Sequence, residues 1–198
     1  MSRTLQLKIS LMGSQPLIWR QILIDENYRL DRLHQVIQIA MGWRNCHLHQ
    51  FSIQDRIIGM ILEDDWGMED LEDETTIRIG DFLLKEGESF YYQYDFGDSW
   101  DHHIILEKIG TESPDTPLCL AGKRGCPPEN SGGIPGFQRL LEILQDENHP
   151  DHEDYQNWLE DNYDPTECPL DEINAELKKF GIWHRKHPKA KSTPWHRL

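Results

Sequence analysis

Asp95, Asp98 and His102 crowd one short stretch, Phe90 to Leu106, which reads FYYQYDFGDSWDHHIIL. Carboxylates and an imidazole at that density allow two kinds of chemistry. They can ligate a divalent metal and lower the pKa of a bound water, or they can act as a general acid and base. The stretch itself has period two. Phe90, Tyr92, Tyr94 and Phe96 fall on one face and Tyr91, Gln93 and Asp95 on the other, a strand with one buried aromatic face. Gly97-Asp98-Ser99 interrupts the alternation. It resumes with Trp100, His102, Ile104 and Leu106 inward and His103 outward, so the whole is a β-hairpin. A buried His102 needs a hydrogen-bond partner. Two readings stand: Asp95 or Asp98 folds back on the turn and satisfies His102, or the three belong to a metal or catalytic site.

Further candidates lie outside the hairpin. His47 and His49 are two apart on an alternating segment that ends at Phe51 and Ile53, a spacing that suits chelation or an ordinary mixed surface. Glu129 and Asn130 sit in a Pro/Gly-rich span from 110 to 136, expected to be an ordered loop laid against the hairpin. The candidate cluster is therefore Asp95, Asp98, Trp100, His102, Glu129, Asn130 and His47. If a metal binds, Asp98, His102 and Glu129 are its first ligands. Cys46, Cys119, Cys126 and Cys168 form no Cys-x-x-Cys pair, and the Cys119 to Cys126 interval is too wide for a zinc knuckle, so free thiols are expected.

Several motif coincidences carry nothing. Gly122-Lys123 lacks the flanking residues of a phosphate loop. Asp95-Phe96-Gly97 spells a kinase magnesium motif without a kinase's other parts. Residues 63–74 hold eight acids without calcium-loop spacing, and read as a solvated insertion.

The elements that must position these residues follow the same periods. Leu5 to Leu11 and Leu17 to Ile24 make a hairpin around Gly13-Ser14-Gln15-Pro16. Leu33, Val36, Ile37, Ala40 and Met41 line a helix with Asp31 as N-cap and Gly42 as its stop. A short strand over 57–62 and a helical turn over 77–83 precede the central hairpin. Three helices follow Pro135, with Asp151 capping the second and Asp171 capping a third that Gly181 closes. The fold class is α+β: a mostly antiparallel sheet of hairpins, one crossing helix in a β-grasp-like order, and a C-terminal group of helices. Residues 1–183 read as a single domain with its helical part at 137–181, and 184–198 as a basic disordered tail.

The chain has 198 residues and a formal charge of −15. Residues 184–198 carry five basic residues and no acid, which leaves 15 basic against 35 acidic residues in 1–183. Such a body repels phosphate backbones. Nucleic-acid binding is thus excluded except through the tail. With no run of 18 apolar residues and no signal-like opening, a cytoplasmic protein without a membrane span is expected.

Taken together, Tyr92-x-Tyr94-Asp95-Phe96-Gly97-Asp98-x-Trp100-x-His102-x-Ile104, then Gly125-Cys126-Pro127-Pro128-Glu129-Asn130-x-Gly132-Gly133, resembles the plasmid pRiA4b ORF-3-like family. Trp43-Arg44-x-x-His47-Leu48-His49-x-Phe51 and Leu17-Ile18-Trp19-Arg20 carry the same resemblance over most of residues 5–183. It implies a setting on plasmids and beside transposons rather than a particular reaction. Asn130 stands where the family pattern has an acid, which would weaken a shared metal site by one charge. A serine recombinase is not implied, because Ser99 lies among Asp98, Trp100 and Asp101 instead of arginines.

Two functions compete. The first is a binding module whose aromatic hairpin and Pro/Gly loop take up a basic protein or peptide partner. The second is a metal-dependent hydrolase, with zinc, manganese or iron held by Asp95, Asp98, His102 and Glu129, joined by His47.

Overall fold

The computed structural model of the chain describes residues 2–61, 70–83, 85–112, 114–159, 163–188 and 190. The strands are β1 (Thr4–Leu11), β2 (Trp19–Asp25), β3 (His49–Ile53), β4 (Arg56–Gly59), β5 (Leu71–Asp73), β6 (Ser89–Tyr94), β7 (Trp100–Gly110) and β8 (Leu118–Lys123). They form one sheet in the order β5-β4-β3-β6-β7-β1-β2-β8. Its pairings are antiparallel except for β4 with β5. The helices are α1 (Leu30–Met41), α2 (Gly133–Gln145), α3 (His152–Trp158) and α4 (Leu170–Lys186), so the architecture is α+β. The β-grasp likeness stops at element order, since the central pair β1 and β7 is antiparallel and the sheet reaches eight strands. No helix among the described residues is long and apolar enough to cross a membrane.

Period two decides which face is covered. Leu5, Leu7, Ile9 and Leu11 of β1 are fully buried, and so are Trp100, His102, Ile104 and Leu106 of β7. Register sets Leu7 opposite Leu106, Ile9 opposite Ile104 and Leu11 opposite His102. Leu33, Val36, Ile37 and Ala40 of α1 and Ile173, Leu177 and Phe180 of α4 share that core. Gly42 ends α1 with φ 84°, its amide and that of Trp43 both donating to Gln38 O, and this turns Trp43 back into the interior.

The structure corrects several expectations. Span 110–136 is not one loop: β8 lies within it and pairs with β2. Its alternation was masked by small residues and flanking prolines. Strand β6 ends at Tyr94, where Asp95 takes φ 55°, so Phe96 leaves the buried face and is 42% exposed. Asp31 is not the N-cap; α1 starts one residue earlier, and Asp31 sits buried in the first turn, held by Arg29 Nη2 at 2.7 Å. Asp151 precedes α3 but makes no cap bond, and α4 begins at Leu170 with Asp171 in its first turn. That helix runs on through Gly181 to Lys186. A Cβ on Gly181 would meet Thr116 Cβ at 2.7 Å, so the glycine provides close approach to the chain entering β8 rather than a stop. The acidic span 63–69 and residues 191–198 lie outside the described residues. Glu74, expected to be solvated with that span, is buried. At the outer edge of β8, the Cys119 amide donates to Asn174 Oδ1 (2.8 Å) and Asn174 Nδ2 donates to Cys119 O (2.9 Å), which ties α4 to the strand.

Arg20 shares the inward face of β2 with Ile22 and Ile24 and is only 1% exposed. Its five N–H groups are all used: Nε donates to Ala40 O, Nη1 to Trp19 O and Lys123 O, and Nη2 to Arg124 O and Cys126 Sγ, at 2.8 to 3.2 Å. Burial pushes the Cys126 thiol up to about 11, and the neighbouring guanidinium only partly offsets it. Arg20→Met is expected to lower stability by about 3–5 kcal/mol in urea unfolding, because buried carbonyls lose their donors. The same variant should expose Cys126 to thiol reagents. Unchanged stability and thiol reactivity would show that the guanidinium is not the joint between these segments.

Candidate functional site

Three segments meet at the end of the central hairpin. The turn after β6 closes when Ser99 N–H donates to Asp95 O at 2.6 Å, and Asp95 Oδ1 accepts from the Gly97 amide at 3.0 Å. The segment after α1 brings Trp43, whose Nε1 donates to Pro127 O (2.9 Å). The Cys46 amide donates to Tyr94 Oη (2.9 Å), and that hydroxyl donates to Glu129 Oε1 (2.9 Å), which also accepts from the Arg44 amide (2.8 Å). Burial raises the Tyr94 phenol, helped by the Glu129 carboxylate, so it stays a neutral donor.

This frame brings His47, Asp95 and Glu129 together. His47 Nε2 lies 3.4 Å from Asp95 Oδ2 and 3.8 Å from Glu129 Oε2. Both His47 Nε2 and Glu129 Oε2 are buried without a hydrogen-bond partner. The other expected residues take other positions. Asp98 is a clamp: its Oδ2 accepts the Gly132 amide at 3.0 Å, and a Cβ on the adjacent Gly133 would lie 2.5 Å from Asp98 O. His102 is fully buried, as its strand period predicts, but no carboxylate of the turn satisfies it. Its Nδ1 is 3.3 Å from Tyr92 O, and Trp43 stands edge-on to its ring at 5.3 Å. Burial drives that imidazole down to about 4. Trp100 is a core residue 6.0 Å from Trp43, ring to ring, and Asn130 is exposed with φ 58°. Asp98, His102 and Glu129 therefore do not form a common ligand set. No group of three or more His, Cys, Asp or Glu among the described residues is placed to hold a metal ion. The described part of the chain contains only free cysteines.

A second cluster lies beside it, of which the sequence singles out only His49. Gln38 Nε2 donates to Tyr92 Oη (3.1 Å), Tyr92 Oη to His34 Nδ1 (2.8 Å), His34 Nε2 to Asn45 Oδ1 (2.7 Å), and the Asn45 amide to Gln38 Oε1 (2.9 Å). This closed ring assigns His34 a neutral tautomer. It also holds Asn45 at φ 53°, which sets the direction of the chain toward His47. His49 stacks on His34 with ring centroids 3.4 Å apart, and its Nε2 meets Glu74 Oε2 at 2.7 Å. Burial drives both imidazoles down to about 3 and the Glu74 carboxyl up to about 7. The i, i+4 pair His34 and Gln38 on an otherwise apolar helix face was the available signal.

Two openings flank the site. A cleft of about 410 Å³ is lined by His34, His47, His49, Cys46, Leu48 and Met60. A larger groove of about 920 Å³ runs past Met41, Arg44, Pro127, Glu129, Trp158 and Ile173.

An eight-stranded, mostly antiparallel sheet whose inner hairpin is clamped by a Pro/Gly segment defines a particular class of α+β protein. The chain belongs to the plasmid pRiA4b ORF-3-like family, whose sequence profile matches residues 3–172. It is similar to the uncharacterized protein y4hQ of Sinorhizobium fredii, at 33% identity over 187 residues, covering 91% of this chain and 94% of that one. It is also similar to a protein of unknown function, MM3350, from Methanosarcina mazei Go1. That crystal structure superimposes with a TM-score of 0.79 at 34% identity, covering 88% of this chain and 99% of that one.

Asp98→Ala is expected to cost about 1–2 kcal/mol and to speed proteolytic cleavage near Gly132; an unchanged cleavage rate would show that the clamp does not hold the loop. The buried titrating groups give pH a defined sign. His34, His49 and His102 have depressed values, so the stability they confer is present above about 6.5 and is lost as pH falls toward 3. Glu74 has a raised value, so its contribution is present below about 4.5 and is lost as pH rises through about 7. Glu74→Gln should therefore gain about 1–3 kcal/mol relative to the parent between roughly pH 5 and pH 8.5 in urea midpoints. A pH-independent difference would refute the neutral Glu74–His49 pair.

Proposed function

We propose that the chain is a binding module that holds a basic, partly apolar protein segment in the larger groove. One observation carries this reading: the groove combines an apolar floor of Ala40, Met41, Pro127 and Ile173 with Glu129, Asp164, Glu167 and Glu172 around it. Trp158, 47% exposed, offers an aromatic anchor at the side. The groove is also lined by Arg20 and Arg44, and every N–H of Arg20 is already donated within the protein. With a chain charge of −15, long-range attraction favours a cationic partner and disfavours nucleic acid. The plasmid origin in the family's name supports a setting among mobile genetic elements. Free thiols and the lack of a membrane-crossing helix among the described residues support a cytoplasmic one.

The test compares a fluorescein-labelled peptide of alternating Lys and Leu with its Glu-for-Lys counterpart by anisotropy. Only the Lys peptide is expected to bind. Its affinity should fall roughly tenfold between about 0.05 and 0.5 M salt, and further in Trp158→Ala or in Glu167→Gln/Glu172→Gln. Equal binding of the two peptides, or indifference to all three substitutions, would overturn the reading.

A further inference from the structure

We infer that the smaller cleft is an acid–base site, in which His47 and His49, each backed by carboxyl groups, move protons to and from a small uncharged carbonyl compound. The two imidazoles belong to residues two apart. His49 is the first residue of β3 and His47 lies two residues before it, outside the strand, a spacing that extended backbone keeps on one face, and both line the cleft. Behind His49 stands Glu74, 2.7 Å from Nε2. Behind His47 stand Asp95 and Glu129, 3.4 and 3.8 Å from its Nε2. In both residues the carboxyl groups face Nε2, which leaves Nδ1 as the working nitrogen. A carboxyl group beside one ring nitrogen biases the tautomer and prepares the other for proton transfer. His49 Nδ1 is buried and has no partner, a state that costs free energy unless a ligand supplies the missing bond.

The surroundings select the ligand. Asp95 and Glu129 lie behind the His47 ring and disfavour an anion. His34, the third imidazole at the cleft, is held neutral by its closed ring of hydrogen bonds and cannot offset them. Leu48 and Met60, both more than 40% exposed, give the mouth an apolar lip. About 410 Å³ suits a small molecule. His47 Nδ1 removes a proton from the carbon beside a carbonyl group. The C–H electron pair becomes the C=C bond of the enol, the C=O π pair takes up the His49 Nδ1 proton, and the neutral Glu74 carboxyl passes its own proton to His49 Nε2, while Asp95 and Glu129 stand beside the His47 ring that has gained the carbon's proton. Reversal returns both protons, so the cycle consumes no oxidant, reductant or cofactor. The inference is independent of the groove and its partner.

The probe is cyclopentanone in D2O, with loss of its α-proton signal followed by NMR. The unaltered chain is expected to exchange these protons at least roughly a hundredfold faster than His49→Asn or His47→Asn, the lower end of what a positioned acid or base contributes. His103→Asn is the control, since that imidazole stacks on Tyr91 on the opposite face of the sheet. It should match the unaltered chain. Met60→Trp narrows the mouth without touching either pair and should also abolish exchange, so the test stands even if His49→Asn fails to fold. Exchange no faster than in buffer, or undiminished in Met60→Trp or in a folded His49→Asn, would overturn the inference.

Discussion

A guanidinium without a carboxylate partner can be kept in a protein interior only by fixed dipoles, and the geometry around Arg20 is the constraint on which the rest of the molecule depends. Removing an unpaired charge from water is expensive, so every N–H must find an oxygen or sulfur already in position. The acceptors come from Ala40 near the end of α1, from β2 itself, from the end of β8 and from Arg124 just beyond it, with Cys126 Sγ completing the set. The negative end of the α1 dipole contributes to the same balance. Three chain segments are thereby fixed to one another within a few ångströms. The residues immediately after two of them, Trp43 to His47 and Pro127 to Gly133, then have little freedom except to meet over the central hairpin.

A second layer of polar order sets the finer geometry. The ring that joins Gln38, Tyr92, His34 and Asn45 is fully satisfied, and a satisfied buried network specifies one arrangement where an apolar one would tolerate several. It holds a residue in the left-handed region at Asn45, and Asx residues tolerate that conformation at lower cost than most. By contrast, His102, at the centre of the most distinctive motif, behaves as part of the packing among Trp43, Tyr92 and Trp100. Motif density and chemical readiness are separate properties in this chain.

Much of this was legible from residue order. Both hairpins, the helix stop at Gly42 and the inward direction of His102 follow from local periods and glycine conformation. What could not be read depended on contacts distant in sequence. Asp95 and His102 are seven residues apart, yet the carboxylate turns toward His47. The donor that Asp98 accepts from is an amide 34 residues away. Glu74 reads as one more acid in a polar run, and only its pairing with His49 explains its burial. Strand β8 carries glycine and alanine where β-branched residues would have announced it, and register with β2 supplies what propensity does not. For the site, the sequence brought His47, Asp95 and Glu129 to notice but gave no way to separate them from Asp98 and Asn130. The sorting is done by turn geometry.

The amide of Asn174 has a consequence beyond the joining of α4 to β8. An outermost strand presents free N–H and C=O groups, the template on which foreign strands add and aggregates grow. At Cys119 both groups are already taken by a side chain that imitates the next strand for one residue, with the bulk of a helix behind it. A ninth strand would have to displace an entire helix to continue the ladder there. The sheet thus carries its own chain terminator at the edge where β8 exposes two leucines, Leu118 and Leu120.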